Sequence, residues 1–332
     1  GSEMCIRDRL GADLYLGPIY TWGTIGGRTD FYMWKPVFLD YSYNFAVRNF
    51  RHGSFGNITK IDNTRQVKNS ESFFSVAAGM PLAHRGVFLI RANGGHVNYR
   101  YDSDELFADD TDHSRYSFFG IKAELARNTL DKFLYPRRGS DLKLSGIFVT
   151  GRDKYEPFDA EKFLSRTSRQ WVGARLTWDK YFDMPGCSWF SLGLNVDGVI
   201  TNHPEFTTEG ATVMSMPAYE PVPHAQMIYM PDFRGKRFAA GGVMPTFDLM
   251  PNFFLRTGFY AMFREKRSFV PGVSGPVEDK RWHYIAEASL VYHTPIGPVS
   301  LALTKYDLRN WKNMYLTFNF GYAIFAPKGT FY

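Results

Sequence analysis

The side chains able to do chemistry in this chain are a run of acids, a set of histidines and one serine between glycines. Asp102, Asp104, Glu105, Asp109, Asp110 and Asp112 crowd one short stretch. It lacks the central glycine and closing Glu that a calcium-binding EF-hand loop needs, so it reads as a solvated loop, with divalent bridging to lipid phosphates as the lesser alternative. The eight histidines are scattered, with no HExxH and no close pair on one strand face, so they are not expected to hold a metal. Pro271-Gly272-Val273-Ser274-Gly275 brushes against a nucleophile elbow, but GxSxG requires a residue between the serine and the second glycine and a strand-to-helix turn. Cys5 and Cys187 are the only cysteines, far apart and without CxxC spacing, so a structural disulfide is not expected. Catalytic residues, cofactor and metal are therefore all expected to be none, and chemistry has to be sought in how charges are placed.

The elements that place them are strands. Met314, Leu316, Phe318, Phe320, Tyr322 and Ile324 alternate with Asn313, Tyr315, Thr317, Asn319, Gly321 and Ala323, a strict period of two. Val299, Leu301 and Leu303 alternate with Ser300, Ala302 and Thr304, and Ala286, Ala288, Leu290 and Tyr292 with Glu287, Ser289 and His293. One face is apolar and the other polar. A soluble sandwich would turn the apolar face inward, whereas a membrane barrel turns it to lipid and keeps the polar face for a wet lumen.

Composition admits both. The chain has 332 residues, 44% of them hydrophobic, and no run of about 18 apolar residues, which excludes helical spans. Aromatic residues reach 17%, more than a core needs and suited to aromatic girdles at two membrane interfaces. The net charge of +6 comes without a basic cluster or RNA-binding signature, so no nucleic-acid partner is expected. Residues 1–9 lack the apolar segment of a signal peptide and read as a non-native leader, with the barrel domain running over 10–332 and incomplete on its N-terminal side.

About thirteen strands are predicted. The first two are placed at Leu10 to Trp22 and Phe31 to Phe45, followed by Ser72 to Met80, Val87 to Arg100 and Ser114 to Arg127. Further on, Leu142, Leu144 and Phe148 alternate with Lys143 and Ser145, and Leu192, Leu194 and Val196 with Gly193, Asn195 and Asp197. Connections alternate in length. Short ones at 81–86, 183–186, 250–251 and 294–297 carry turn residues, and long ones fall near 50–71, 101–113, 151–168, 203–235 and 265–281. Short periplasmic turns against long external loops are the asymmetry of an outer-membrane barrel, and Greek-key crossings would not keep that beat. The fold class is all-β, a transmembrane antiparallel barrel. Inward charges such as Arg175, Asp197, Arg256, Arg264 and Glu287 are expected to be salt-bridged packing.

Two segments carry a resemblance. Pro231-Asp232-Phe233-Arg234-Gly235-Lys236-Arg237-Phe238, followed by Ala239-Ala240-Gly241-Gly242, resembles the signature loop of the BamA-like bacterial surface antigen barrels, with five strands after it; the hairpin Thr294-Pro295-Ile296-Gly297-Pro298 also resembles their pattern. Within that superfamily the chain is most similar to the C-terminal barrel of patatin-like phospholipases of the Bacteroidetes type. The residues are Arg127-Asn128-Thr129-Leu130-Asp131, Tyr135-Pro136-Arg137-Arg138-Gly139-Ser140, Met216-Pro217-Ala218-Tyr219-Glu220-Pro221 and Phe320-Gly321-Tyr322-Ala323-Ile324-Phe325.

The resemblance implies a barrel of the sixteen-stranded type whose first strand here is the fourth, located in the bacterial outer membrane. It implies an anchor or export conduit for an upstream lipid acyl hydrolase domain, and the alternative is the barrel of an assembly or secretion factor. Implied partners are outer-membrane lipids and lipopolysaccharide, the barrel assembly machinery and a second copy of the chain. The candidate site is the lumen loop motif Phe233, Arg234 and Gly235 with Glu287. Arg234 is expected to lie inside the barrel, its planar fork on an inward carboxylate, Glu287 first and Asp248 or Asp197 next.

Overall fold

The computed structural model describes residues 5–16, 20–32, 36–50, 67–102, 111–132, 135–156, 165–184, 186–207, 209–222, 225, 230–265, 282–295, 297–306, 314–320 and 328–330. Fourteen strands run in chain order. They are β1 (Cys5–Tyr15), β2 (Tyr20–Tyr32), β3 (Pro36–Phe50), β4 (Val67–Leu82), β5 (Gly86–Asp102), β6 (Thr111–Asn128), β7 (Gly139–Glu156), β8 (Ser165–Met184), β9 (Cys187–Thr201), β10 (Arg237–Met250), β11 (Phe253–Arg264), β12 (Trp282–Thr294), β13 (Gly297–Tyr306) and β14 (Met314–Phe320). Each pairs antiparallel with the next, giving one sheet of fourteen strands in sequence order. Among the described residues β14 has no pairing to β1, so each of these two strands keeps one free edge.

The alternation read from the sequence sets which face is which. Leu144, Phe119, Ile90, Leu316 and Phe318 are exposed, while Asn44, Glu71, Ser75, Asn93, Ser191, Asp197 and Thr304 are buried. That is the reverse of a soluble sheet and the arrangement of a barrel whose outer surface meets lipid. Phe263 sits 5.1 Å from Trp282, and Phe259 stacks on Tyr284, on the outer surface of β11 and β12.

The start of the chain departs from the sequence reading. The predicted strand Leu10 to Trp22 is two strands, β1 and β2, and β3 replaces the strand placed at Phe31 to Phe45. Gly17-Pro18 was the signal: proline lacks the N–H that a central strand donates, and glycine before it favours a turn. β1 takes in Cys5 to Arg9, so part of the stretch read as a leader pairs with Phe31 and its neighbours on β2. Nine strands precede the 202–236 segment and five follow it. In a sixteen-stranded count the first strand here is then the third, not the fourth. The predicted acidic loop is described only at its ends, where Asp102 closes β5 and Asp112 lies on β6 rather than in a loop; residues 103–110, the Pro271–Gly275 loop and residues 321–325 of the last predicted strand lie outside the described residues.

Between β9 and β10 the chain turns back inside the sheet. It holds a short helix, α1 (Glu209–Ser215), and a 3-10 turn, Pro231–Phe233. Two buried clusters tie this segment to the wall. In one, Phe206, Ala211 and Met214 join Phe73, Tyr99, Tyr116, Phe118, Val149 and Trp171; in the other, Tyr219, Val222 and Phe233 join Tyr181, Phe238, Met244, Tyr260, Ile285 and Tyr306. Strands β4–β8 thus grip one part of the segment and β8–β13 the other, so the sheet curls around it.

At the end of the sheet with the short turns, the connection between β6 and β7 is built by its own residues. Asp131 Oδ1 accepts the backbone N–H groups of Arg137 and Arg138 at 2.9 and 3.1 Å. Arg137 then reaches Asp248 at 2.6 Å, and Arg138 pairs with Asp183. Gly139 closes the turn at φ +98°, where a Cβ would lie 2.2 Å from the Thr129 carbonyl, so only glycine fits. Tyr135 is carried into the lumen, edge-on to Phe254 at 6.0 Å and 5.6 Å from the Arg256 guanidinium.

Candidate functional site

Arg234 lies in the lumen at 9% exposure, directly after the 3-10 turn. Its backbone is fixed by an isolated bridge to Ala218, by Tyr219 N–H donating to Phe233 O at 2.9 Å, and by Gly235 N–H donating to Pro217 O at 3.1 Å. Its guanidinium donates through Nη1 to Met214 O at 2.9 Å and Met216 O at 3.2 Å, and Nη2 is 4.0 Å from Glu220 Oε1. The segment Met216-Pro217-Ala218-Tyr219-Glu220-Pro221, which the sequence reading quoted separately, is therefore the other half of the Arg234 motif. The two halves of one loop clasp each other inside the barrel.

The carboxylate expected to meet Arg234 is a different one. Glu287 accepts a hydrogen bond from Ser289 Oγ at 2.7 Å and is buried on β12. Asp248 is held by Arg137, and Asp197 by Arg175 in a two-point pair at 2.6 and 3.1 Å. Glu220 is the carboxylate that faces Arg234 across the loop bridge, at 4.0 Å, and the hydrogen bonds expected to go to a carboxylate go to the Met214 and Met216 carbonyls. Phe233 packs edge-on against His283 at 5.6 Å and Tyr306 at 6.1 Å, and Gly235 lies over the Arg264 side chain.

Glu220 belongs to a larger cluster. Lys328 Nζ contacts its two oxygens at 2.9 and 2.8 Å, bringing in a segment from beyond β14. On the wall, Arg48 of β3 pairs with Glu71 of β4 at 2.8 Å, with side chains 5% and 4% exposed. Breaking such a buried pair costs about 3–5 kcal/mol, because the survivor keeps an uncompensated charge. Arg48, Glu71, Glu220, Arg234 and Lys328 line one cavity of about 30 Å³, a volume suited to a water molecule. Burial raises the Glu220 carboxyl, but Lys328 and Arg234 outweigh it and hold the group below the usual carboxylate range. Burial pulls the Lys328 ammonium down to about 8, with Arg48 and Arg234 acting in the same direction against Glu220.

Sequence reasoning missed Arg48, Glu71 and Lys328 altogether. They sit in separate strands and a tail, and no local pattern links them. Of the inward charges it did name, three have an opposite charge near them, whereas Arg256 sits among Tyr181, Met244 and the Tyr135 ring and Glu287 is held by Ser289, neither in an ion pair among the described residues. Arg175 pairs with Asp197, and Arg264 donates to His283 at 2.9 Å and lies 3.7 Å from Asp232. His203 lies 4.6 Å from Trp171 with the two rings tilted, and burial pushes its imidazole down to about 3, so it is neutral. Among the described residues no cluster of three or more His, Cys, Asp or Glu could hold a metal ion.

An antiparallel sheet with an apolar outer surface, a polar lumen and a long loop folded inward between the ninth and tenth strands defines an outer-membrane β-barrel. Comparison with solved structures agrees on the fold. The barrel of BamA from Haemophilus ducreyi lacking POTRA domains 1–3 superposes with a TM-score of 0.61 at 12% identity, over 94% of this chain and 63% of that one. CdiB from Acinetobacter baumannii matches at a TM-score of 0.33 and 9% identity, over 91% of this chain and 56% of that one. OccK11 from Pseudomonas aeruginosa matches at 0.29 and 12%, over 94% and 90%. The chain thus spans less than two thirds of the BamA chain it resembles. No protein-family model matches the sequence. No curated protein matches it either.

Proposed function

We propose that this chain is the outer-membrane barrel that anchors or exports an upstream patatin-like lipid acyl hydrolase domain. The observation that carries the reading is the clasp between the Met216–Pro221 segment and the Phe233-Arg234-Gly235 motif. The first is one of the segments that carry the resemblance to the phospholipase barrels and the second is the signature loop of the wider BamA-like superfamily, and they meet as one unit inside the lumen. A lumen filled from the loop side by Phe206, Met214, Tyr219 and Phe233 suits an anchor or a gated conduit better than an open diffusion pore. In this reading the barrel supplies position and no covalent chemistry.

The second reading is a barrel that assembles or secretes other proteins, favoured by the superposition on the BamA barrel. Under either reading the expected surroundings are outer-membrane lipids, lipopolysaccharide and the barrel assembly machinery, with self-association possible to test by cross-linking. The deciding experiment reads the gene upstream of residue 1 and expresses the whole protein. A GxSxG serine whose replacement by alanine abolishes phospholipid hydrolysis supports the anchor. Repeated periplasmic domains, together with faster folding of a client barrel into vesicles that contain this protein, support the assembly factor and overturn the anchor.

A further inference from the structure

The contacts made by residues 328–330 are those of a peptide in a binding site. Gly329 N–H donates to Glu71 Oε2 at 3.1 Å, and Asn93 Nδ2 donates to Gly329 O at 2.9 Å. Glu71 thus divides its carboxylate, one oxygen to Arg48 and one to the incoming main chain. With the segment docked the wall groups are buried: Arg48, Glu71 and Asn93 are 4%, 5% and 1% exposed. Position 329 favours glycine, because a Cβ there would lie 2.7 Å from Phe118 Cζ and 2.8 Å from Phe73 Cδ1 and the two rings would have to shift. On one side Glu220 takes the Lys328 ammonium, and on the other Thr330 is buried.

We propose that the inner wall of β3–β6, with Glu220 of the folded loop, is a socket for a Lys-Gly peptide segment, and that residues 328–330 are its resident, displaceable ligand. The inference rests on the barrel geometry and not on the identity of any upstream domain. Two main-chain hydrogen bonds and one ion pair hold the segment. All three are contacts that another peptide with a cation next to a glycine could make in its place. The ion pair is also the weak point of the set: burial and the neighbouring Arg48 and Arg234 both disfavour the Lys328 ammonium. Because Glu220 also faces Arg234, occupancy of the socket is coupled to the clasp in the 202–236 segment.

The Lys328–Gly329 bond is itself a trypsin site, which gives a direct readout on the full chain refolded into phosphatidylcholine vesicles. Intact mass measures the loss of residues 329–332, and heat-modifiable gel mobility confirms that each variant is folded. The bond is expected to resist cleavage in the parent and to be cut about tenfold faster in Asn93→Leu, the loss of one hydrogen bond to the segment. A second arm avoids variants of the wall: the chain ending at Pro327 is titrated with a fluorescein-labelled peptide of residues 326–332. Binding that is lost when glycine 329 of the peptide is replaced by alanine supports the socket. Cleavage in the parent as fast as at an exposed lysine, equal cleavage in parent and Asn93→Leu, or a peptide that does not bind overturns it.

Discussion

Replacing Arg234 by alanine tests the loop clasp at its centre. The side chain donates to two carbonyls, Met214 O and Met216 O, and faces Glu220 at 4.0 Å. Removing it leaves both acceptors in a site where Met214 and Met216 are each 6% exposed. A buried acceptor left without a donor costs about 1–3 kcal/mol, and hydrogen bonds to charged groups are worth about 1.5–3 kcal/mol. A water entering the vacated space recovers part of this, so the expected loss is about 2–4 kcal/mol of local stability in the loop, not of the barrel. Glu220 keeps Lys328, so its charge is not stranded. The assay is limited proteolysis of 202–236 in vesicles. At a cost of about 2–4 kcal/mol, cleavage through local opening rises by roughly thirty- to several-hundredfold, while the heat-modifiable band of the folded barrel persists. Arg234→Lys keeps the charge but loses the planar fork, and is expected to fall between the two. Unchanged cleavage in Arg234→Ala would refute the clasp, and collapse of the whole barrel would show that the loop and the wall do not open independently.

Other outcomes follow from the same geometry. Leu301→Arg on the outer face of β13 is expected to cost about 2–4 kcal/mol in refolding into vesicles if it lies near the bilayer midplane, and Glu124→Gln on the inner face of β6 far less; equal penalties would reverse the orientation of the sheet. Phe206→Ala removes an aromatic buried against Tyr116 and Trp171 and should loosen the loop by about 3–5 kcal/mol, read as hydrogen exchange in 202–215 that speeds up while β10 stays protected. Docking of residues 328–330 should depend on pH. The Lys328 ammonium is lowered when docked, from 10.5 to about 8, so the released segment binds more protons than the docked one between those values. Docking is therefore weakest below about pH 8 and tightens by up to tenfold per pH unit toward 10.5. A spin label on Thr330→Cys, in a background without Cys5 and Cys187, should become less mobile over that window, and the opposite trend would contradict the assigned burial of Lys328.

How much could be read in advance divides along a physical line. The period of two is a local property, so the outward Leu142, Leu144, Phe148, Leu301 and Phe318 and the inward Asp197, Glu287 and Ser289 could be assigned from the chain alone, and the structure keeps those faces. The beat of short and long connections is also written along the chain, and it distinguished a barrel from a sandwich. The early strands were blurred because aromatic residues lie on both sides of Gly17-Pro18, so β1 and β2 read as one run. Partner choice was not legible. Arg234, Glu220 and Lys328 meet although five strands lie between the first and the last, and Arg48 meets Glu71 only because β3 and β4 are in register. Which carboxylate an arginine finds in a lumen depends on the curl of the sheet and the path of the inserted loop. Those are set by every strand pairing together, so the sequence determined the barrel and its two faces, and only the tertiary structure decided which charges meet inside it.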